Sequence, residues 1–133
     1  MARLTFEGFE DVEKALRTEQ EGIGDTIAQM LLAGAEVLAR EEKKQIEAFD
    51  LIDKHALVES VKAGKVKETA SSYYIEVYPH GKDKKGVRNA TKGFVAQYGS
   101  SKQEARPWLT TAIENAKSEI QEAMLSVWNG GSK

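Results

Sequence analysis

Apolar residues recur with a helical period through the C-terminal quarter of the chain. Leu109, Ala112, Ile113, Ala116, Ile120, Ala123, Met124 and Val127 fall 3, 1, 3, 4, 3, 1 and 3 residues apart, an apolar face running about five turns. Arg106-Pro107 places a proline where a first helical turn tolerates it, because that N–H has no intrahelical partner. Asn129-Gly130-Gly131 predicts the stop, so a helix is expected over 106–128. A second long helix is expected over 25–49, capped by Asp25, with Ile27, Met30, Leu31, Gly34 and Leu38 as its stripe and Ala35 and Val37 beside them. Past Arg40 this stripe thins into Glu41-Glu42-Lys43-Lys44, which predicts last turns that project beyond the core, charged all round.

Elsewhere the period shortens. Tyr73, Ile75 and Val77 alternate with Tyr74, Glu76 and Tyr78, the signature of a half-buried strand that Pro79 closes. Gly64 to Glu68 has strand character, and Phe94, Ala96 and Tyr98 alternate with Val95 and Gln97 as a further strand stopped by Gly99. Between them, His80 to Lys92 is polar and basic and reads as an exposed connection. Leu57, Val58 and Val61 suggest a helical turn. At the N-terminus, Leu4-Thr5-Phe6 is a short extended stub, and Phe9, Val12 and Leu16 mark a weaker helix broken by Gly22 and Gly24. The expected fold is α+β: one domain over 1–133, a segment 1–24, the long helix 25–49, a small antiparallel sheet over 57–98 with the basic loop 80–92, and the helix 106–128.

Composition narrows the functions. At 133 residues with 41% apolar and 30% charged, the chain is of the globular class and long enough for one core. It has no cysteine, which excludes disulfides, thiolate zinc sites and cysteine nucleophiles. No apolar run reaches the roughly 18 residues of a membrane span, and no signal-peptide core opens the chain, so an intracellular compartment and no membrane partner are expected. The net charge of −2 conceals a strong asymmetry: −7 over residues 1–60, +6 over 61–107 and −1 over 108–133. Opposite charge on two parts of one chain suits pairing between copies, and a head-to-tail contact closes into a ring when the rotation per subunit permits.

Catalysis has little to draw on. His55 and Glu59 share a helix face at i, i+4 with Asp50 and Asp53 nearby, a thin basis for a metal-dependent enzyme, since a metal needs convergent ligands. His80 reads as a loop residue rather than a general base, and Gly22 and Gly24 precede no P-loop lysine. No cofactor is expected. Lys82, Lys84, Lys85, Arg88 and Lys92, close in sequence to Tyr73, Tyr74, Tyr78 and Phe94, form the best candidate interaction surface and allow a nucleic-acid-binding alternative. The acidic whole-chain balance weighs against a dedicated binder.

Four segments carry a family resemblance: Tyr78-Pro79-His80-Gly81, Gly86-Val87-Arg88-Asn89-Ala90, Phe94 through Lys102, and Ala105-Arg106-Pro107-Trp108-Leu109. Their order resembles the small tail-component proteins (neck or tail-completion) of long-tailed double-stranded-DNA bacteriophages and prophages, and Leu57-Val58-Glu59-Ser60-Val61 is similar to that family's leucine-x-x-serine-isoleucine segment. Gln97 stands where the family commonly has an acid, Ser100 where it has threonine, and His55-Ala56 where it often has Thr-Gly. The resemblance implies a non-enzymatic virion structural protein at the head–tail junction, made in the host bacterial cytoplasm. It would assemble as a homo-oligomeric ring, dock connector or head-completion and tail-tube proteins, and make at most non-specific contact with DNA. Gly99, Ser100, Pro107 and Trp108 read as a rigid corner, with Arg106 free to bond a carboxylate or loop carbonyls. Arg106 and Gln97 are carried as candidate contacts to a neighbouring subunit.

Overall fold

A computed structural model describes residues 2–7, 23–51, 54–69, 72–101 and 104–131. In chain order the elements are β1 (Ala2–Glu7), α1 (Ile23–Ala48), α2 (Lys54–Ser60), β2 (Val61–Ala63), β3 (Lys67–Glu68), β4 (Ser72–Pro79), α3 (Asn89–Tyr98) and α4 (Trp108–Gly131). The expected α+β class holds, with α1 and α4 packed on a small antiparallel sheet. The segment with Phe9, Val12 and Leu16 lies outside the described residues, as do Gly22, Asp53 and Lys102.

The alternating strand is the centre of the sheet. β1 pairs along one edge of β4, with Leu4 opposite Ile75 and Arg3 opposite Glu76, and β2 and β3 pair along the other. Of the expected strand over 64–68 only Lys67–Glu68 forms, as β3, and Val61, expected in the helical turn with Leu57 and Val58, instead opens β2. Ala63 sits opposite Val77 but Lys67 sits opposite Tyr74, so one extra residue is accommodated between them as a β-bulge. The shift turns Val66, an even-numbered residue, toward the core that Val61 and Ala63 also meet. Ile75 and Val77 are fully buried beneath the helices, while Arg3, Tyr74, Glu76 and Tyr78 occupy the opposite face.

α1 and α4 run antiparallel and close. A Cβ on Gly34 would meet Leu4 Cδ1 at 3.0 Å and Ile120 Cγ2 at 3.2 Å, so this glycine sets the approach of α1 to both neighbours. α1 begins at Ile23, with Gly24 inside it and Asp25 in its first turn rather than at the cap. Its end does not project: Glu42, Gln45 and Ile46 are all buried, continuing the stripe from Leu38 at i, i+4 and i+8. Asp50, at φ 52°, ends the helix; the Leu51 N–H donates to the Ile46 carbonyl at 3.3 Å and the Asp50 N–H to Glu47 at 3.1 Å, a Schellman closure. α4 runs through Gly131, past the expected stop, and Ile113 stands exposed although it belongs to the apolar spacing.

The largest difference from the sequence reading is at residues 94–98. They form the end of helix α3, not a strand. Asn89, Gly93, Ala96 and Gln97 are its buried positions, at helical spacing, and Phe94 and Tyr98 lie on the exposed side. Five residues are too few to separate a period of 2 from one of 3.6, and Ala96 satisfies both.

Candidate interaction site

The basic loop is a closed turn with its own internal order. Lys82 and Arg88 form an isolated antiparallel bridge. The Asp83 N–H donates to the Val87 carbonyl at 2.9 Å and the Gly86 N–H to Asp83 at 3.0 Å. Asp83 Oδ1 accepts the N–H of Lys85 at 2.8 Å and of Val87 at 2.9 Å, an aspartate-organised turn. Gly81 (φ 77°) and Gly86 (φ 83°) supply the left-handed backbone that this closure requires.

Asp83 is also ion-paired with Lys92 at 2.5 Å, and that bond, followed by those from the turn N–H groups, holds its carboxyl below the usual carboxylate range. The expected cationic cluster therefore divides. Lys82, Lys84, Lys85 and Arg88 point to solvent, whereas Lys92 is largely covered and committed to Asp83. His80, at the base of the turn, stacks on Tyr78 with ring centroids 3.9 Å apart, and its Nε2–H donates to the Lys62 carbonyl at 3.0 Å. Burial lowers its pKa, which keeps the ring neutral near pH 7. Asn89 Nδ2 donates to the His80 carbonyl at 2.8 Å and ties α3 to the same point.

α3 then leads into a corner built from the residues picked out by motif. Gly99 has φ 80° and its N–H donates to the Val95 carbonyl at 2.7 Å. The Arg106 N–H donates to the Ala96 carbonyl at 2.6 Å, and the Pro107 carbonyl accepts the first helical bond of α4 from Thr111 at 3.2 Å. Trp108 is buried, and its Nε1–H donates to the Gly93 carbonyl at 2.9 Å.

Gln97 and Arg106, expected as contacts to a neighbour, have their side chains turned into the fold. Gln97 is buried; its Oε1 accepts the Leu109 N–H at 2.8 Å and the Thr110 N–H at 3.2 Å, and its Nε2 donates to Thr110 Oγ1 at 2.6 Å. It caps α4 from another helix, satisfying two of the orphan donors at that N-terminus. An acid at this position would accept the same N–H bonds and favour the positive end of the helix dipole. Arg106 Nη1 donates to the Asp50 carbonyl at 2.9 Å, the loop-carbonyl role its chemistry suggested. Gln97→Ala is accordingly expected to cost about 1–2 kcal/mol in urea unfolding, while Gln97→Glu retains wild-type stability or exceeds it.

His55 and Glu59 are both exposed, and no group of three or more His, Asp or Glu side chains converges on a metal position among the described residues. Among those residues, no helix is long and apolar enough to cross a membrane.

Sequence reasoning missed Gly93, where a Cβ would meet Trp108 Cζ2 at 2.9 Å, although a glycine inside a helical pattern is a packing signal. It also missed the exposure of Phe94 and Tyr98, which the i, i+4 spacing could have signalled.

No curated protein and no solved structure matches the chain. Residues 10–100 match the family model described as "Bacteriophage HK97-gp10, putative tail-component", a match that takes in the basic turn and α3 and ends just after Gly99, before Arg106, Pro107 and Trp108. The chain belongs to this HK97-gp10-like family of bacteriophage tail components.

Proposed function

We propose that the protein is a non-enzymatic structural component of the phage head–tail junction, assembling as a ring that docks the connector or head-completion proteins on one side and the tail-tube protein on the other. The observation that carries this reading is the family match over residues 10–100. The charge distribution supports self-assembly: Lys82, Lys84, Lys85 and Arg88 project from one rigid turn, and the first sixty residues carry a net −7. The outer sheet face adds a second polar surface. There Arg3 lies 4.2 Å over the Tyr74 ring and pairs with Glu76 at 3.4 Å.

Gold-labelled antibody on purified virions is expected to mark a single focus between head and tail. Particles made without the protein are expected as separate full heads and tails. Label along the tail, or none on the particle, would overturn the junction reading. Native mass spectrometry of the isolated protein is expected to give closed oligomers that dissociate as ionic strength rises.

A further inference from the structure

Beside the basic turn the fold leaves an open pocket of about 460 Å³. Among the described residues its walls are Ala56 of α2, Lys82, Asp83, Lys84 and Lys85 of the turn, and Lys92 of α3. Four lysines thus converge on one hollow, and Asp83, the acid among them, is already ion-paired with Lys92. Lys82, Lys84 and Lys85 make no ion pair among the described residues. Arg88, at the N-cap of α3, makes no side-chain cap bond. Between Asp83 and Glu104 the sequence contains no acid that could neutralise these groups.

The backbone that carries the cations is fixed before any ligand arrives. The Lys82–Arg88 bridge and the two N–H bonds to Asp83 Oδ1 close the turn. The Asp83–Lys92 pair fastens it to α3, and Asn89 Nδ2 ties α3 to the His80 carbonyl at its base. Like charges gathered on a fixed backbone repel one another, and an anion that enters relieves this with little backbone ordering.

The surroundings select the kind of anion. Phe94 and Tyr98 do not line the pocket; their rings pack 4.7 Å apart, and Phe94, two residues beyond Lys92, sits roughly 200° around α3 from it. A single strand, which needs rings to stack its bases, finds none among the described lining residues. Carboxylates of a protein partner would each have to be placed against a particular lysine. Duplex DNA presents a phosphate charge about every 1.7 Å of its axis and meets the whole cluster in any register.

We propose that this pocket is a binding site for the phosphate backbone of duplex DNA, with Lys82, Lys84 and Lys85 as phosphate contacts and Arg88 as a fourth at the flank. Lys92 is held back by Asp83 and positions the turn. Contacts to phosphate carry no sequence information, so the site reads charge alone. It adds a ligand to the ring reading and does not depend on it, because a monomer presents the same pocket.

Fluorescence anisotropy of the full chain with labelled duplexes of two unrelated sequences tests the site. Equal affinity for both is expected, with log K falling against log salt at a slope of about −3 to −4 for four neutralised phosphates. Lys84→Gln/Lys85→Gln is expected to weaken binding at least about tenfold at low salt and to make the slope shallower by about 2. Lys44→Gln/Lys117→Gln, an equal charge change at exposed positions of α1 and α4, is expected to leave the slope unchanged.

Equal losses in the two variants would overturn the site, since binding would then follow net charge alone. So would the absence of duplex binding at every salt concentration. A single strand bound more tightly than the duplex, with that binding lost in Phe94→Ala/Tyr98→Ala, would overturn it in favour of the exposed rings. No DNA binding, together with weaker self-association of Lys84→Gln/Lys85→Gln by native mass spectrometry, would assign the turn to a neighbouring copy. That result would overturn the DNA site and leave the ring reading standing.

Discussion

Replacing Glu42 by leucine is expected to raise the thermal unfolding midpoint at pH 7 by about 10 °C. Glu42 is 0% exposed, and among the described residues neither carboxylate oxygen has a hydrogen-bond partner. Burial raises its pKa from 4.5 to about 9, so the folded protein carries it as a neutral acid.

The linkage has a definite sign. Below pH 4.5 the folded and unfolded chains both hold the proton, and the group's contribution is fully present. As pH rises toward about 9 the unfolded chain releases the proton and the folded chain does not, so stability falls by about 1.4 kcal/mol per pH unit. By pH 7 the loss is about 3 kcal/mol, a substantial part of the 5–15 kcal/mol of a typical domain. Leucine removes this loss and the unpaired polar atoms together. Asp50 and Asp83 act in the opposite sense. Lys54, through a hydrogen bond at 2.7 Å, holds Asp50 low, and Lys92 holds Asp83 low, so their contributions are present above pH 3.8 and disappear in acid.

The two trends predict maximal stability on the acid side of neutrality. Urea unfolding at pH 5, 6, 7 and 8 checks this: the gap between Glu42→Gln and wild type should widen by about 1.4 kcal/mol with each pH unit. Parallel curves for the two proteins would show that Glu42 does not titrate between the folded and unfolded states.

Trp108→Ala is expected to cost about 3–5 kcal/mol, measured as a lower urea midpoint at unchanged slope. The indole is 2% exposed, fills the space between α3 and α4, and satisfies the Gly93 carbonyl through Nε1. Its ring leaves no room for a side chain at Gly93, where a Cβ would fall 2.9 Å from Cζ2. Gly93→Ala should therefore destabilise despite the gain in helix propensity, and Trp108→Phe should relieve part of that cost. Additive costs in the double variant would show that the two sites do not share the contact. α3 carries Phe94 and Tyr98 on its exposed side and rests on Trp108 and Gln97 through the other.

Much of this corner was legible in the sequence. Gly99 announces itself because its backbone conformation is one that side chains resist, and Pro107 because its ring fixes the entry to α4. The motif singles out Gln97 but not its role, because the two N–H groups it satisfies belong to residues twelve and thirteen positions later. In the sequence Lys92 is one more cation of its loop, and only the fold sets it against Asp83. Glu42 stands in a run of charges, Glu41-Glu42-Lys43-Lys44, whose sequence predicts a solvated face. Its place between Leu38 and Ile46 at i±4 already put it on the core face, but a carboxylate there contradicts the usual cost of burying charge.

The sequence by itself determined the two long helices, the central alternating strand, the α+β class and the tail-component family. Those periodic patterns run over many residues, and a repeated local preference leaves a single consistent geometry. Only the tertiary structure decided the state of residues 94–98, the bulge between β2 and β3, the burial of Glu42 and the inward turn of Gln97 and Lys92. In each of these the local signal spans only a few residues, and the outcome depends on which distant surface arrives to cover it.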